Sequence, residues 1–228
     1  MPELHNSHSN LCLLKAQNEL SQSVMLTNVN KVYSISVHGT GMCKVRFLVV
    51  GGGGAGYFSG GGSGYIQYGS KTIGHGGIIK ANVGDKREAS TITISGWTIR
   101  AESGKDHKNK KRGGDGYSGG GDHSGSSHGG SNGGKGGGQG GGAGTEEDVT
   151  KYVFSIWQLT PGAGGKYYDV CSGGPCGGGG GGILVDGEGP TATEYHGQGY
   201  GAGASGSSTI NHGGSGLQGV ILLETIST

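Results

Sequence analysis

No stretch of this chain approaches the roughly 18 consecutive apolar residues that a membrane-crossing helix needs, so nothing in it reads as a helical bilayer span. Proline occurs only 4 times and glycine keeps no sustained Gly-X-Y register, which excludes a collagen triple helix. Four cysteines in 228 residues are too few for a disulfide-built scaffold, and they fix no redox compartment. Charged residues amount to 14% and balance to a formal net charge of +1. No global field therefore draws the chain to nucleic acid or to an anionic membrane. Residues 1–30 lack the basic segment, apolar core and small-residue cleavage site of a secretory leader.

Catalytic patterns are missing as well. There is no G-x-S-x-G elbow, no H-E-x-x-H and no carboxylate pair in a recognisable frame. Asp186, Glu188 and Glu194 lie near His196, but between glycines in an expected loop, and they read as surface carboxylates. The expectation is a protein that is not an enzyme and uses no cofactor or metal.

What is present is glycine, 58 residues of it, with only 31% hydrophobic residues to build a core. Glycine loses the most backbone freedom on folding and offers no side chain to bury. Such a chain needs a compact apolar core elsewhere, or a packing mode that exploits the missing side chains.

The apolar residues fall in strand-like runs: "KVYSISVHG", "CKVRFLVVG", "GYIQYGS", "GGIIKANVGD", "STITISGWTIRAE", "KYVFSIWQLT", "GGILVDG" and "GVILLETIS". In the first, Tyr33, Ile35 and Val37 alternate with Ser34, Ser36 and His38; in the second, Val45, Phe47 and Val49 alternate with Lys44, Arg46 and Leu48. Gly, Asn, Asp or Pro bound these runs, and the whole predicts an all-β, antiparallel sandwich of jelly-roll type with almost no α-helix. Residues 1–30 form an N-terminal tail with one short helical candidate, where Leu13, Gln17 and Leu20 join Cys12 and Ala16 in a weak i, i+3, i+4 stripe. Residues 31–228 form a single glycine-rich β-sandwich domain.

Glycine-rich insertions interrupt that domain at residues 51–64, 113–144, 173–182 and 197–216. Gly/Ser runs are ordinarily flexible linkers. Several long structureless loops inside one compact domain are unusual, however. The alternative is a set of polyglycine-II helices with three residues per turn, close enough for N–H···O and Cα–H···O bonds between neighbours. The triplet is not strict, since Lys135, Gln139 and Ala143 recur every fourth residue.

Within "FLVVGGGGAGYFSGGG", Gly51, Gly53 and Gly56 satisfy the G-x-G-x-x-G of a dinucleotide fold. That motif must open a helix, and the glycine-rich "YFSGGGSGYIQYG" that follows opposes one, at about 1 kcal/mol per glycine. No acidic residue stands where the ribose ligand is expected. Phosphate-loop readings fail at Lys135 and Lys166, which are followed by Gly136 and Tyr167 instead of Ser or Thr.

Cys171 and Cys176 in "CSGGPCGGGGGG" are a candidate disulfide pinning a glycine loop, with two free thiols as the alternative; a second ligand pair for metal is lacking. Cys12 and Cys43 offer a second bridge, from the tail to the sheet. Lys105, His107, Lys108, Lys110, Lys111, Arg112, His123 and His128 make a local cationic patch. It reads either as a solvated loop or as a surface facing an anion or a forming mineral. A single Arg-Gly-Gly, at Arg112, and one interleaved aromatic, Tyr117, give little support for nucleic-acid binding.

"VYSISVHGTG", "FLVVGGGGAGYFSGGGSGYIQYGS" and "GGGGGGILVDGEGP" together resemble the glycine-rich extracellular region of the anaplastic lymphoma kinase and leukocyte tyrosine kinase receptors. The resemblance spans residues 32–224 and implies a tumour-necrosis-factor-like jelly roll carrying a bundle of polyglycine helices. The chain has no kinase, no membrane span and no growth-factor-like module, so the fold is what carries over. The closing pattern is also similar to stand-alone glycine-rich proteins of marine invertebrates. The expectation is a secreted, self-associating structural protein of an extracellular or silica-bearing matrix, with itself, a mineral surface or a matrix protein as partner. A receptor-type protein-binding module is the alternative, and an ice-binding protein the remote one.

Overall fold

The computed structural model describes residues 11–107, 113–120, 148–165, 168–171, 174–176, 178–190, 197–206 and 214–226, with backbone alone at 168–171 and 174–176. Every regular element among these residues is a strand and every strand pairing is antiparallel. The all-β, antiparallel expectation holds.

The helical candidate of the tail does not. Its residues form strands β1 (Leu13–Ala16) and β2 (Glu19–Ser21), a hairpin with Ala16 opposite Glu19. Gln17 and Asn18 form its two-residue turn, with φ of 51° and 76°. Positive φ at both central residues is the turn whose twist suits a hairpin, and Asn tolerates it well. Only Leu14 of β1 is fully buried, so the period is that of a strand edge, not of a helix stripe. β3 (Ser23–Leu26) follows and crosses to a second sheet.

The main body comprises β4 (Val32–His38), β5 (Met42–Val50), β6 (Ile66–Gly74), β7 (Ile78–Asn82), β8 (Ser90–Ile94) and β9 (Trp97–Ala101). Two short pairs then come from β10 (Leu159–Pro161) with β13 (Ile183–Val185), and β11 (Tyr168–Cys171) with β12 (Gly174–Cys176). β14 (Val220–Ile226) closes the described chain. A six-stranded sheet runs in the order β2-β1-β4-β7-β8-β9 and a four-stranded sheet in the order β3-β14-β5-β6.

The two sheets face each other over one core. Leu14, Ile35, Val37, Ile79, Ile92 and Ile94 meet Val45, Val49, Ile221 and Leu223, all essentially without solvent exposure. The alternation read in "VYSISVH" is the inward set of β4. In "FLVV" the alternation breaks: Phe47 and Val49 join this core, while Leu48 and Val50 enter a second one on the opposite face. A strand buried on both faces reads as a continuous apolar run.

Residues 149–159 supply that second core. "KYVFSIWQLT" predicted a strand, but only Leu159 and Thr160 belong to one. Its Phe154, with Val149 just before it, lies instead against Leu48, Val50, Val220 and Leu222, with Tyr152 and Trp157 packed alongside. Aromatic bulk here covers a sheet face, which removes it from any ladder.

Cys12 and Cys43 form a disulfide with a Cα–Cα distance of 5.7 Å. It joins the start of the six-stranded sheet to β5 of the four-stranded one, clamping the sandwich at one end.

Candidate functional site

At Val50 the chain leaves β5 and enters glycine. The junction is held by Ser90, which is fully buried: its hydroxyl donates to the Val50 carbonyl at 2.6 Å and accepts from the Gly84 N–H at 2.9 Å. Beyond it, successive N–H groups point to different neighbours. Gly51 donates to the Tyr65 carbonyl, Gly52 to Glu88, Gly53 to Leu217 and Gly54 to Gly62, at 2.8–3.0 Å.

Each neighbour is revisited every third residue. Gly51 and Gly54 bond Tyr65 and Gly62; Gly53 and Gly56 bond Leu217 and Gly214. Gly61 and Gly64 bond Ala204 and Gly201, while Gly62 and Tyr65 bond Lys105 and Glu102. Gly104 and His107 donate back to Gly52 and Ala55. The repeat is three residues, against about 3.6 for an α-helix and about two for a strand. Residues 60–65 sit at the centre, with 51–54, 102–105, 118, 180 and 201–204 bonded around them.

Space is what demands glycine here. A Cβ on Gly64 would overlap the carbonyl of Gly51, one on Gly53 that of Ala202, and one on Gly60 that of Gly178. Backbone lies against backbone, and no neighbour is a side chain that could rotate away. The layer is interior, for Gly51–Gly54 and Gly60–Gly62 are all buried.

This arrangement disposes of the dinucleotide motif. The N–H groups of Gly51, Gly53 and Gly56 are already bonded to Tyr65, Leu217 and Gly214, and no helix begins there. Lys135 and Lys166 lie outside the described residues.

Of the cationic patch, the structure describes Lys105 and His107. Lys105 keeps its side chain exposed while its backbone belongs to the layer, donating to Asp115 at 2.7 Å and accepting from Gly62 at 3.0 Å. His107 is half-buried, with its ring 5.7 Å from that of Tyr57 and its Nδ1 without a hydrogen-bond partner. Between them Asp106 accepts the Ala55 N–H at 2.8 Å and pairs with Arg87. Lys108, Lys110, Lys111, Arg112, His123 and His128 lie outside the described residues, as do most of the insertion at 113–144 and parts of those at 173–182 and 197–216. The side chains of Cys171 and Cys176 also lie outside them; their backbones flank a short pairing in which Cys171 faces Gly174 and Cys176 faces Tyr168.

Asp186 and Glu188 belong to a tight turn. Asp186, at φ 53°, and Gly187, at φ 79°, reverse the chain, and the Asp186 carboxylate accepts the Gln158 N–H at 2.8 Å. Their role in the described structure is to fasten residues 158–159 to the turn. Glu194 and His196 lie outside the described residues.

Sequence reading missed one surface. An open cleft of about 450 Å³ runs along residues 150–159, lined by Tyr152, Phe154, Trp157 and Asp186. Val153 and Ile156 beside it are 60% and 53% exposed, and the Tyr68 hydroxyl donates to the Val153 carbonyl at 3.0 Å. The aromatic density of "YVFSIW" was the available signal. No protein-family model, curated protein or solved structure matches this chain.

Proposed function

We propose that the chain is a non-enzymatic structural protein that assembles with itself in an extracellular matrix. Its architecture would be a jelly-roll sandwich carrying a layer of polyglycine-II helices. The observation that carries this reading is the three-residue repeat of backbone hydrogen bonds among segments packed too closely for any Cβ. Three residues per turn without internal hydrogen bonds is the polyproline-II geometry, and all its backbone groups must then bond to neighbours. A layer built this way is stiff, because most of its segments meet backbone to backbone and the buried Ser63 and Ser205 hydroxyls between them are themselves hydrogen-bonded. Stiffness suits a load-bearing or templating component. A catalytic cleft has no use for it.

The Cys12–Cys43 bridge agrees with an oxidising compartment. The exposed Lys105 side chain and the cationic composition of residues 105–112 support a role facing silica or another oxyanion surface. Electron microscopy of concentrated protein tests the assembly: ordered filaments or sheets are expected, and a protein monodisperse at all concentrations overturns it. Silicic acid precipitation by the parent and by a variant with Lys105, Lys108, Lys110, Lys111 and Arg112 changed to Gln tests the mineral role, which fails if the two proteins behave alike.

The exposed Val153, Ile156 and neighbouring aromatic cleft favour one second reading, a receptor-type protein-binding module. A saturable protein partner for a stable monomer would distinguish it.

A further inference from the structure

Each open sheet presents unpaired N–H and C=O groups at its two rims, and proteins blunt such rims with short strands, charge or proline. This sandwich has four rims, formed by β2, β9, β3 and β6. β2 has 3 residues and β3 has 4, too short to template a partner strand. β9 has 5, and its Arg100 forms an exposed ion pair at 2.7 Å with Glu102, just past its end. β6 differs on each count. It has 9 residues, keeps an unbroken register with β5 from Ile66 opposite Val50 to Gly74 opposite Met42, and contains no proline and no bulge.

One charge stands on β6, and it is occupied. The Lys71 ammonium lies over the Trp97 ring, 3.9 Å from its centroid, drawn toward the other sheet. A cation held over indole in this way does not guard the rim. Gln67, Tyr68, Ser70 and Thr72 are exposed. Beside it stand the exposed Val153 and Ile156, tied to β6 by the Tyr68 hydroxyl. Among the described residues the outer rim of β6 makes one backbone hydrogen bond, at its end, where the Gly74 carbonyl accepts the Gly77 N–H at 3.0 Å; none is made from residues 66–73.

We infer that β6 is the self-association edge of this protein, pairing antiparallel with β6 of a second copy to join two four-stranded sheets. The inference rests on the self-assembling reading above and names its contact. A second copy is the fitting occupant because two-fold pairing of one strand with itself satisfies both rims at once. It also brings the Tyr68, Val153 and Ile156 surface of each copy to the same seam.

The test uses the whole protein and Ser70→Lys/Thr72→Lys, which places two ammonium groups on the rim without touching either core. Sedimentation velocity over a concentration series, with circular dichroism as the folding control, reads the outcome. Loss of the associated species in a folded variant is expected, together with concentration-dependent protection of residues 66–74 from amide hydrogen exchange in the parent. Assembly of parent and variant alike overturns the edge but leaves the scaffold reading standing. A parent that stays monomeric overturns both. A monomeric parent that captures a synthetic peptide of residues 66–74 makes β6 a peptide-binding edge and overturns self-pairing. Gln67→Lys alone repeats the experiment if the double variant does not fold.

Discussion

Arg46 and Glu224 stand directly opposite each other on β5 and β14, their side chains bonded at 2.9 Å on the face that carries the second core. Glu224 is 2% exposed, and its second oxygen accepts the Ser155 N–H at 2.8 Å. Arg46 lies in turn beside the Phe154 ring, 5.9 Å from its centroid. The pair therefore fastens the 149–159 segment to the sheet that it covers.

Removing Arg46 alone should leave a buried carboxylate short of its cation. Arg46→Met is expected to cost about 2 kcal/mol, since an unmatched buried charge is worse than none. Arg46→Met/Glu224→Gln should recover part of that loss. Urea unfolding of the three proteins checks both signs.

The glycine layer predicts opposite outcomes for one chemical change. Gly64→Ala forces a Cβ into the Gly51 carbonyl and should destabilise by at least about 3 kcal/mol, or prevent folding. Gly74→Ala meets nothing nearer than the Met42 sulfur at 3.6 Å, so it should be neutral or stabilise by about 0.5 kcal/mol through a less flexible unfolded chain. Thermal melts of the two variants decide. Equal effects would mean that the close approach is not what holds the layer.

These contrasts mark what the sequence could disclose. The period of two in "VYSISVH" and the bounded apolar runs announced an all-β protein, because side-chain alternation is a local signal. The fingerprint at Gly51 was separated from a nucleotide site by local reasoning too, since helix formation was opposed nearby. The strand–turn–strand at Gln17–Asn18 was missed because a two-residue turn leaves almost the same spacing of apolar residues as one helical turn. The neighbours of Gly53 and Gly64 were illegible for a different reason: they lie about 150 residues away, at Leu217 and Gly201, and glycine carries no chemical mark of its partner.

Reduction should loosen the sandwich. The Cys12–Cys43 bridge closes a loop of sequence separation 31, for which chain entropy gives about 2–4 kcal/mol. Cys12→Ser/Cys43→Ser should lower Tm by about 10 °C in a domain of this size. Peptide mapping without reductant should also recover a Cys171–Cys176 linked fragment; finding both thiols alkylated removes that bridge from the proposal.

Alkaline pH gives a further handle. Burial, and then the Glu188 carboxylate, raise the Tyr200 hydroxyl above its ordinary value near 10.0. The folded form thus holds its proton more tightly than the unfolded one. Tyr200 therefore contributes stability that is complete below the unfolded value and is lost as pH rises through the folded one. Tyr200→Phe should flatten the alkaline limb of a Tm-against-pH curve; an unchanged limb contradicts the assignment.

The position of β14 has a consequence for biosynthesis. It lies between β3 and β5, so β3 has no partner in its sheet, and β5 only β6, until the last described strand arrives. The glycine layer waits as well, because Gly53 and Gly56 bond to residues just ahead of β14. A ribosome extending this chain could pair "FLVV" with β6 early, but the opposite rim of β5 and the Gly53 and Gly56 N–H groups stay unpaired until residues 214–226 emerge. Completion of the four-stranded sheet then waits on residues 214–226, and the open rim of the apolar β5 is what a chaperone would have to shield in the interval.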